Sequence, residues 1–219
     1  MRVALVQYTP DPEKVVAAAA RLCYSAHAVP ELMDNITPEK AAELVIKLMK
    51  MGHLSTFEHV SFQFSIDGVS RALSHQLVRH RIASYSQRSQ RYVQETGFEY
   101  IIPRRIRKNP ESLARFERLM GVLQEEYNEF LKLVPAEDAR YILPNACTTS
   151  LMATFNARSL LNFFELRTCT RAQWEIRELA EKMLDLVKEI APNIFALAGP
   201  QCITRGVCPE GELSCGRLT

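Results

Sequence analysis

The segment RHRIASYSQRSQRYV, residues 79–93, concentrates side chains that bind anions. It contains four arginines, one histidine, three serines, two glutamines and two tyrosines, and no acidic residue. Guanidinium groups bind phosphate and carboxylate through paired hydrogen bonds, while hydroxyl and amide groups add neutral ones. The nearest acidic residues in the sequence are Asp67 and Glu95, so we expect a ligand to supply the counter-charge of this arginine-rich segment. A solvated basic loop or a subunit-contact loop is the alternative.

A second group of polar residues is spread through the apolar sequence NARSLLNFFELR, residues 156–167. Asn156 and Asn162 can each donate and accept hydrogen bonds, as binding a heterocycle edge or a ribose requires. Arg158 and Arg167 add positive charge. For each residue taken singly, the residue types favour the alternative, in which Asn156 caps a helix and the arginines form surface ion pairs.

Isolated polar residues elsewhere show a weaker pattern. His53 and Ser55, in GHLSTFEHV, follow a helix stop and precede a strand, where a single histidine is more often solvated or capping than ligand-binding. Arg140, in DARYILP, has no distinctive neighbours. The chain lacks the sequences G-x-G-x-x-G, G-x-x-x-x-G-K-[ST], G-x-S-x-G and H-E-x-x-H. A nucleotide would therefore bind outside the Rossmann and P-loop modes.

The cysteines and histidines give little support for a metal site. Cys202, Cys208 and Cys215 have the spacing C-x5-C-x6-C, without the close C-x2-C pair of many zinc sites. On a helix, His75 and His80 would point about 140° apart, which does not suit a shared metal ion. We predict no metal, and inert or occasionally disulfide-linked thiols are favoured over zinc.

The composition is that of an ordinary globular chain of 219 residues, 47% hydrophobic and 24% charged. A net charge of only +2 argues against a general binder of nucleic acid or membrane surfaces. The apolar N-terminal run is too short for a signal peptide, and no segment reaches the length of a membrane span. We predict a cytoplasmic protein without nucleic-acid or membrane partners.

Hydrophobic periodicity predicts the elements that position these residues. Strands are expected at residues 2–9, 57–66 and 146–156, and helices at residues 11–26, 38–51, 70–81, 110–134, 157–167 and 172–191. The second of these helices has Thr37 as its N-cap, Pro38 as its first residue and Gly52 as its stop. The helix at 110–134 carries an apolar stripe at steps of four and three residues: Phe116, Met120, Leu123, Tyr127, Phe130 and Val134. These elements predict an α+β fold, a single domain with a mostly antiparallel sheet flanked by helices, and an irregular cysteine-containing C-terminal tail over residues 201–219.

The order Arg79-His80-Arg81, seven residues, then Ser89-x-Arg91 resembles the signature of the flavin-dependent thymidylate synthases. The segments GHLSTFEHVSF, HQLVRHRIASYSQRSQRY, ARYILP, FNARSLLNFFELR and AQWEIR also resemble that family, in the same order. Together they cover roughly residues 20–195. Five ordered segments make a chance similarity to this family improbable.

The resemblance implies an α+β homotetramer with sites shared between subunits and a catalytic domain over residues 1–200. It implies methylation of dUMP to dTMP, with 5,10-methylenetetrahydrofolate as carbon donor, FAD as hydride carrier, NADPH as reductant and tetrahydrofolate as product. The positions that it assigns to FAD are His53, Ser55, Arg79, His80, Arg81, Gln87, Asn156, Arg158 and Asn162. The positions that it assigns to dUMP are Gln76, Leu77, Val78, Arg79, Gln87, Arg88, Ser89, Gln90, Arg91, Arg140 and Arg167.

Three positions depart from the pattern of the family. Its members often have Asn and Glu where this chain has Ser86 and Gln87, and Gln87 brings no charge. Some members have His where this chain has Arg171, so Arg171 is assigned no role.

Methylation of uracil requires its C5 atom to become nucleophilic. We expect Arg167 to achieve this by stabilising negative charge on N3, O2 and O4 of the ring. Cys169 is the rival residue, since a thiolate could add to C6, but two helical positions would place it about 200° round the helix from Arg167. Ser89 lacks a paired His and carboxylate, and its arginine neighbours suit phosphate binding better.

A non-catalytic nucleotide- or RNA-binding regulator is the alternative function. It would use the arginine-rich segment, in which Tyr85 and Tyr92 could stack on bases. A flavin spectrum of the purified protein would exclude this alternative.

Overall fold

Four strands form one antiparallel sheet in the order β1-β2-β4-β3. The computed structural model describes residues 1–218. The strands are β1 Arg2–Tyr8, β2 Ser61–Ser70, β3 Ser84–Gln87 and β4 Thr148–Asn156. The α+β class with an antiparallel sheet is confirmed.

Strand β2 follows the predicted alternation of buried residues. Val60, Phe62, Phe64 and Ile66 are each fully buried, since successive side chains of a strand point to opposite faces. The predicted start of this strand at residue 57 is wrong, because Ser55–His59 forms a 3-10 turn.

The described part of the chain contains ten α-helices. They are α1 Pro12–Leu22, α2 Val29–Asn35, α3 Pro38–Met51, α4 Arg71–Leu77, α5 Arg104–Arg107, α6 Pro110–Leu133, α7 Ala136–Ala139, α8 Ala157–Arg167, α9 Trp174–Ile190 and α10 Gln201–Thr204. Further 3-10 turns lie at Arg140–Ile142 and Gly211–Leu213. Among residues 1–218, no helix is both long and apolar enough to cross a membrane.

Local signals define both ends of α3. The hydroxyl of Thr37 accepts a hydrogen bond from the backbone N–H of Lys40, and Pro38 begins the helix. Gly52 ends it in the left-handed region, with φ 71°, and its N–H donates to the carbonyls of Leu48 and Met49. This turn directs the chain from α3 into the segment that carries His53 and Ser55.

The predicted stripe of α6 is buried only in part. Met120 and Tyr127 are buried, and the Tyr127 hydroxyl accepts from the backbone N–H of Glu95. Phe130 is 40% exposed. The exposed large apolar side chains of the same helix lie within one arc that includes Phe130: Leu119, Val122, Phe130 and Leu133.

The described chain divides into two compact units. Unit 1 comprises residues 1–2, 66–79 and 86–151, and its core includes Phe98, Met120 and Cys147. Unit 2 comprises residues 3–65, 80–85 and the chain from 152 onward. Its core contains an aromatic cluster made by Phe62, Phe155, Phe163, Phe164 and Phe195.

The C-terminal tail carries two short elements, α10 and the 3-10 turn Gly211–Leu213, within otherwise irregular chain. The carboxylate of Glu165 on α8 accepts hydrogen bonds from the side chains of Gln201 and Arg205. Arg171 pairs with Glu210 at 3.5 Å. All six cysteines are free thiols, and no group of three or more His, Cys, Asp or Glu side chains within residues 1–218 could hold a metal ion.

Candidate active site

A cavity of about 960 Å³ lies in unit 2, between α1, α2 and α3 and the turn at residues 52–56. His53, Ser55 and Arg158, three of the residues assigned to FAD, line this cavity together. The volume is at the upper end of the range for ligand pockets. The structure therefore brings these three side chains to one site.

The charges around this cavity favour an anionic ligand. Arg21 and Lys47 line it and form no ion pair with another described residue. Arg158 pairs with Glu58 at 2.5 Å, so its charge is partly neutralised. The Thr56 hydroxyl oxygen is buried at the cavity wall without a hydrogen-bond partner in residues 1–218. No local pattern marks Arg21 or Lys47, because they lie on α1 and α3, which are separated in the sequence and meet only in the fold.

Helix α8 presents the second group of polar residues. The side-chain oxygen of Asn156 accepts from the backbone N–H of Ser159 at 2.8 Å and so caps the helix. The predicted alternatives for Asn156 and Arg158, a helix cap and an ion pair, are thus confirmed as contacts. Asn162 is exposed one turn beyond Arg158, on the same face of α8.

Arg167, at the end of α8, contacts the arginine-rich segment. Its Nε–H donates to Nε2 of His80 at 3.0 Å. Its NH1 and NH2 groups have no hydrogen-bond partner among residues 1–218. Partial burial lowers the pKa of Arg167, but the group stays charged at any physiological pH. Four N–H donors of a half-buried cation thus remain available for a ligand.

His80 is held in a neutral state by its surroundings. Burial, and secondarily the charge of Arg167, lowers the pKa of His80 from 6.5 to about 4. Its ring packs edge-to-face on Phe163, with centroids 4.9 Å apart. Its backbone carbonyl accepts from the Tyr85 hydroxyl at 2.9 Å, and burial raises the pKa of that hydroxyl.

Strand β3, within the arginine-rich segment, was not predicted. Ser84–Gln87 is a short strand with alternating exposure, and the Tyr85 ring packs edge-to-face on Phe155. Because Tyr85 is engaged in this packing, only Tyr92, at 80% exposure, is placed to stack on a base.

Further polar residues of the segment are fixed within unit 1. The amide nitrogen of Gln87 donates to the hydroxyls of Ser74 and Thr149. The hydroxyl of Ser89 accepts from the backbone N–H of Arg91 at 3.2 Å. Arg88 donates to the hydroxyl of Ser150. Ser89 is thus a turn-stabilising residue and has no imidazole or carboxylate partner among residues 1–218.

The counter-charge of Arg91 comes from elsewhere in the chain. Nε of Arg91 donates to the carboxylate of Glu137, on α7, at 3.0 Å. Nε of Arg140 donates to the backbone carbonyl of Glu137 at 3.1 Å. The expectation that only a ligand neutralises the segment is therefore wrong for Arg91. Arg79 and Arg81 are exposed and form no ion pair with described residues.

A smaller cleft of about 260 Å³ lies in unit 1 and brings together Gln90, Arg140, Arg71 and His75. Gln90 is buried, and burial lowers the pKa of Arg71. Arg71 and His75 were not assigned from the sequence. Their spacing of four residues on α4, which places them on one face, is the signal that could have found them.

Two expectations that assumed a helix need correction. Helix α8 ends at Arg167, so Cys169 lies in the following turn and the helical angle between these residues does not apply. Likewise α4 ends at Leu77, so His80 is not on a helix with His75. The side chain of Leu77, a position assigned to dUMP, is fully buried.

The two sets of assigned residues separate largely by unit. Unit 1 holds the positions assigned to dUMP except Arg167, and unit 2 holds those assigned to FAD except Arg79 and Gln87.

Residues 4–193 match the family described as thymidylate synthase complementing protein. The chain is 50% identical to the flavin-dependent thymidylate synthase of Clostridium tetani and 51% identical to that of Geobacter sulfurreducens, in each case over 99% of this chain and 94% of the relative. It is 43% identical to the enzyme of that name from Pyrococcus abyssi, over 97% of this chain and 91% of the relative. The resemblance inferred from the ordered segments is thereby confirmed, and the chain belongs to the flavin-dependent thymidylate synthase family.

Proposed function

We propose that this chain methylates dUMP to dTMP with FAD as cofactor, 5,10-methylenetetrahydrofolate as carbon donor and NADPH as reductant. The observation that carries the proposal is the half-buried guanidinium of Arg167. Its Nε is bonded to His80, and its NH1 and NH2 groups are left without protein partners among the described residues. This is the arrangement expected of a cation that stabilises charge on a substrate.

The donor set of the cavity in unit 2 fits FAD. Arg21, Lys47 and Arg158 suit a pyrophosphate, and Ser55 and Thr56 supply neutral hydroxyl groups. Apolar side chains of α2 and α3 line the remaining wall, as planar rings require. A bound reduced flavin would supply hydride, while the protein residues bind and orient it.

The cleft in unit 1 fits the phosphate of dUMP. Arg71 and Arg140 supply positive charge there, and Gln90 supplies a buried amide. Arg is the residue best suited to paired hydrogen bonds with phosphate oxygens. Binding of the phosphate would fix the position of the nucleotide. A charged group held against the base could then activate it without a protein nucleophile.

Activation of uracil requires stabilisation of negative charge on N3, O2 and O4. The donors at NH1 and NH2 of Arg167 would do this without transferring a proton, because a guanidinium keeps its charge. Cys169, the rival residue, has no such free donors. Its sulfur accepts a weak hydrogen bond from the backbone N–H of Arg171 at 3.5 Å. No basic side chain among residues 1–218 is hydrogen-bonded to that thiol, as activation of a nucleophile would require.

The test begins with the purified protein. Heat denaturation should release non-covalent FAD into the supernatant. The reconstituted protein should then convert dUMP to dTMP with tetrahydrofolate as the folate product. Dihydrofolate formed one-for-one with dTMP would contradict the role of flavin as hydride carrier. A protein that binds no flavin, even with excess FAD, would defeat the proposal and favour the nucleotide- or RNA-binding regulator.

We also propose a homotetramer with shared sites. The exposed apolar residues of α6, namely Leu119, Val122, Phe130 and Leu133, support a subunit contact along this helix.

Shared sites make a complementation test possible. Inactive Arg91→Ala and inactive Arg167→Ala proteins would be unfolded and refolded together. If each site takes Arg91 from one subunit and Arg167 from another, about a quarter of the sites in a random mixture retain both. Activity should return in the mixture; zero activity despite demonstrated subunit exchange would refute the sharing of sites.

A further inference from the structure

We propose that His80 is a positioning residue for Arg167, a neutral imidazole whose Nε2 accepts the Nε–H of Arg167 and thereby directs NH1 and NH2 toward the pyrimidine. This inference rests on the proposed function. The family resemblance places His80 against FAD, whereas the structure gives its ring a direct contact with the side chain expected to activate dUMP.

The hydrogen bond defines the protonation state of His80. Arginine has no acceptor atom, so Nε2 of His80 must accept and the ring proton must lie on Nδ1. Burial and the adjacent charge of Arg167 keep the pKa of the imidazole at about 4, and the neutral form therefore persists at neutral pH. If the ring were protonated, Nε2 of His80 would itself carry a proton and would face the Nε–H of Arg167, so that two donors would oppose each other.

Helix α8 presents two consecutive contacts to the same imidazole. Phe163 and Arg167 are four residues apart and so lie on one face of the helix. The His80 ring packs edge-to-face on Phe163 and accepts from Arg167. The imidazole therefore spans one turn of α8, which fixes both its position and its orientation.

The backbone of His80 is fixed as well. The Tyr85 hydroxyl donates to its carbonyl, the Tyr85 ring packs on Phe155, and Phe155 packs on Phe163. Tyr85, Phe155, Phe163 and His80 thus form a closed circuit of contacts. A long, flexible arginine side chain anchored to these contacts loses freedom before substrate binds, so its NH1 and NH2 groups are already held in place for the reacting base.

Two substitutions of His80 distinguish the packing of its ring from its role as hydrogen-bond acceptor. His80→Phe keeps a ring against Phe163 but removes the acceptor, whereas His80→Gln removes the ring but can place an amide oxygen near the Nε2 position. We expect His80→Phe to lower kcat about 10- to 100-fold with little change in the KM for dUMP, since small misplacements of a catalytic group cost this much. His80→Gln should recover most of that loss.

The first measurement uses the ligand-free protein and needs no activity. In 15N-labelled protein, the Nε–H signal of Arg167 is identified by its absence in Arg167→Lys. We expect this signal to exchange slowly with solvent in the wild type and in His80→Gln, and to be lost to fast exchange in His80→Phe. An unchanged signal in His80→Phe would overturn the proposal.

The second measurement compares kcat and KM at full flavin occupancy, which is determined from absorbance. Wild-type kcat in His80→Phe would overturn the proposal. Equal losses in both variants that disappear once flavin occupancy is restored would also overturn it, because His80 would then act through the cofactor. If His80→Phe does not fold, His80→Asn replaces it, since its shorter amide does not reach Arg167. A wild-type protein that forms no dTMP would refute the proposed function and with it the catalytic role of His80, while the Nε–H signal would still report the contact.

Discussion

Replacement of Arg167 is the most direct test of how dUMP is activated. Arg167→Ala removes one hydrogen bond within the ligand-free protein, from the charged guanidinium to His80, and such a bond is worth about 1.5–3 kcal/mol. The same change removes a half-buried positive charge whose NH1 and NH2 groups have no hydrogen-bond partner among residues 1–218. Losing such a charge from a developing anion costs about 10²–10³ in rate, or about 2.7–4 kcal/mol. We therefore predict a folded protein with normal flavin content and a rate reduced by at least that factor.

The assay is a single turnover of dUMP with pre-reduced, flavin-loaded protein, followed as dTMP formed. Arg167→Lys keeps the charge but loses the planar fork, so its rate should lie between those of the wild type and Arg167→Ala. Cys169→Ala is the matched control from the adjacent turn and should retain turnover. A loss in Cys169→Ala as severe as that in Arg167→Ala would refute the reasoning and restore a covalent mechanism.

Three further predictions follow from individual contacts. Ser89→Ala should weaken dUMP binding in a titration yet leave measurable turnover; complete loss with normal folding and binding would identify Ser89 as a nucleophile. Asn156→Ala should lower the free energy of unfolding by about 1 kcal/mol through loss of the helix cap, whereas Asn156→Ser should keep the cap. Weaker FAD binding by both variants would show that the Asn156 amide contacts the cofactor. Because the pKa of His80 is about 4 in the folded state and 6.5 ordinarily, the unfolded state binds the proton first, so stability should fall as pH drops from 6.5 toward 4. His80→Gln should reduce this fall in a melting series, and identical pH profiles for the wild type and His80→Gln would contradict the assigned state of His80.

The elements of the fold that were predictable have local causes. Helix α3 is determined by Thr37, Pro38 and Gly52, and β2 by the alternation of its aromatic and aliphatic residues. Strand β3 was missed because four mostly polar residues carry no hydrophobic period, and its pairing with β4 is made by residues far away in the sequence. The residue types of the candidate site were likewise recognisable, whereas its contacts were not. Arg91 meets Glu137 across 46 positions, and Arg167 meets His80 across 87, distances at which sequence spacing gives no geometric information.

The structural and functional interpretations of these residues are compatible because they use different atoms. Asn156 caps α8 with its oxygen, and its amide nitrogen has no partner among the described residues. Gln87 is held by its nitrogen through Ser74 and Thr149, which leaves its oxygen as an acceptor. Arg167 is held by Nε and leaves NH1 and NH2. A polar side chain fixed at one atom loses its conformational freedom during folding rather than during binding, so the remaining atom meets a ligand at lower entropic cost. A helix cap, a half-buried amide and a histidine-bound arginine are thus contacts that would pre-organise each of these side chains for a ligand.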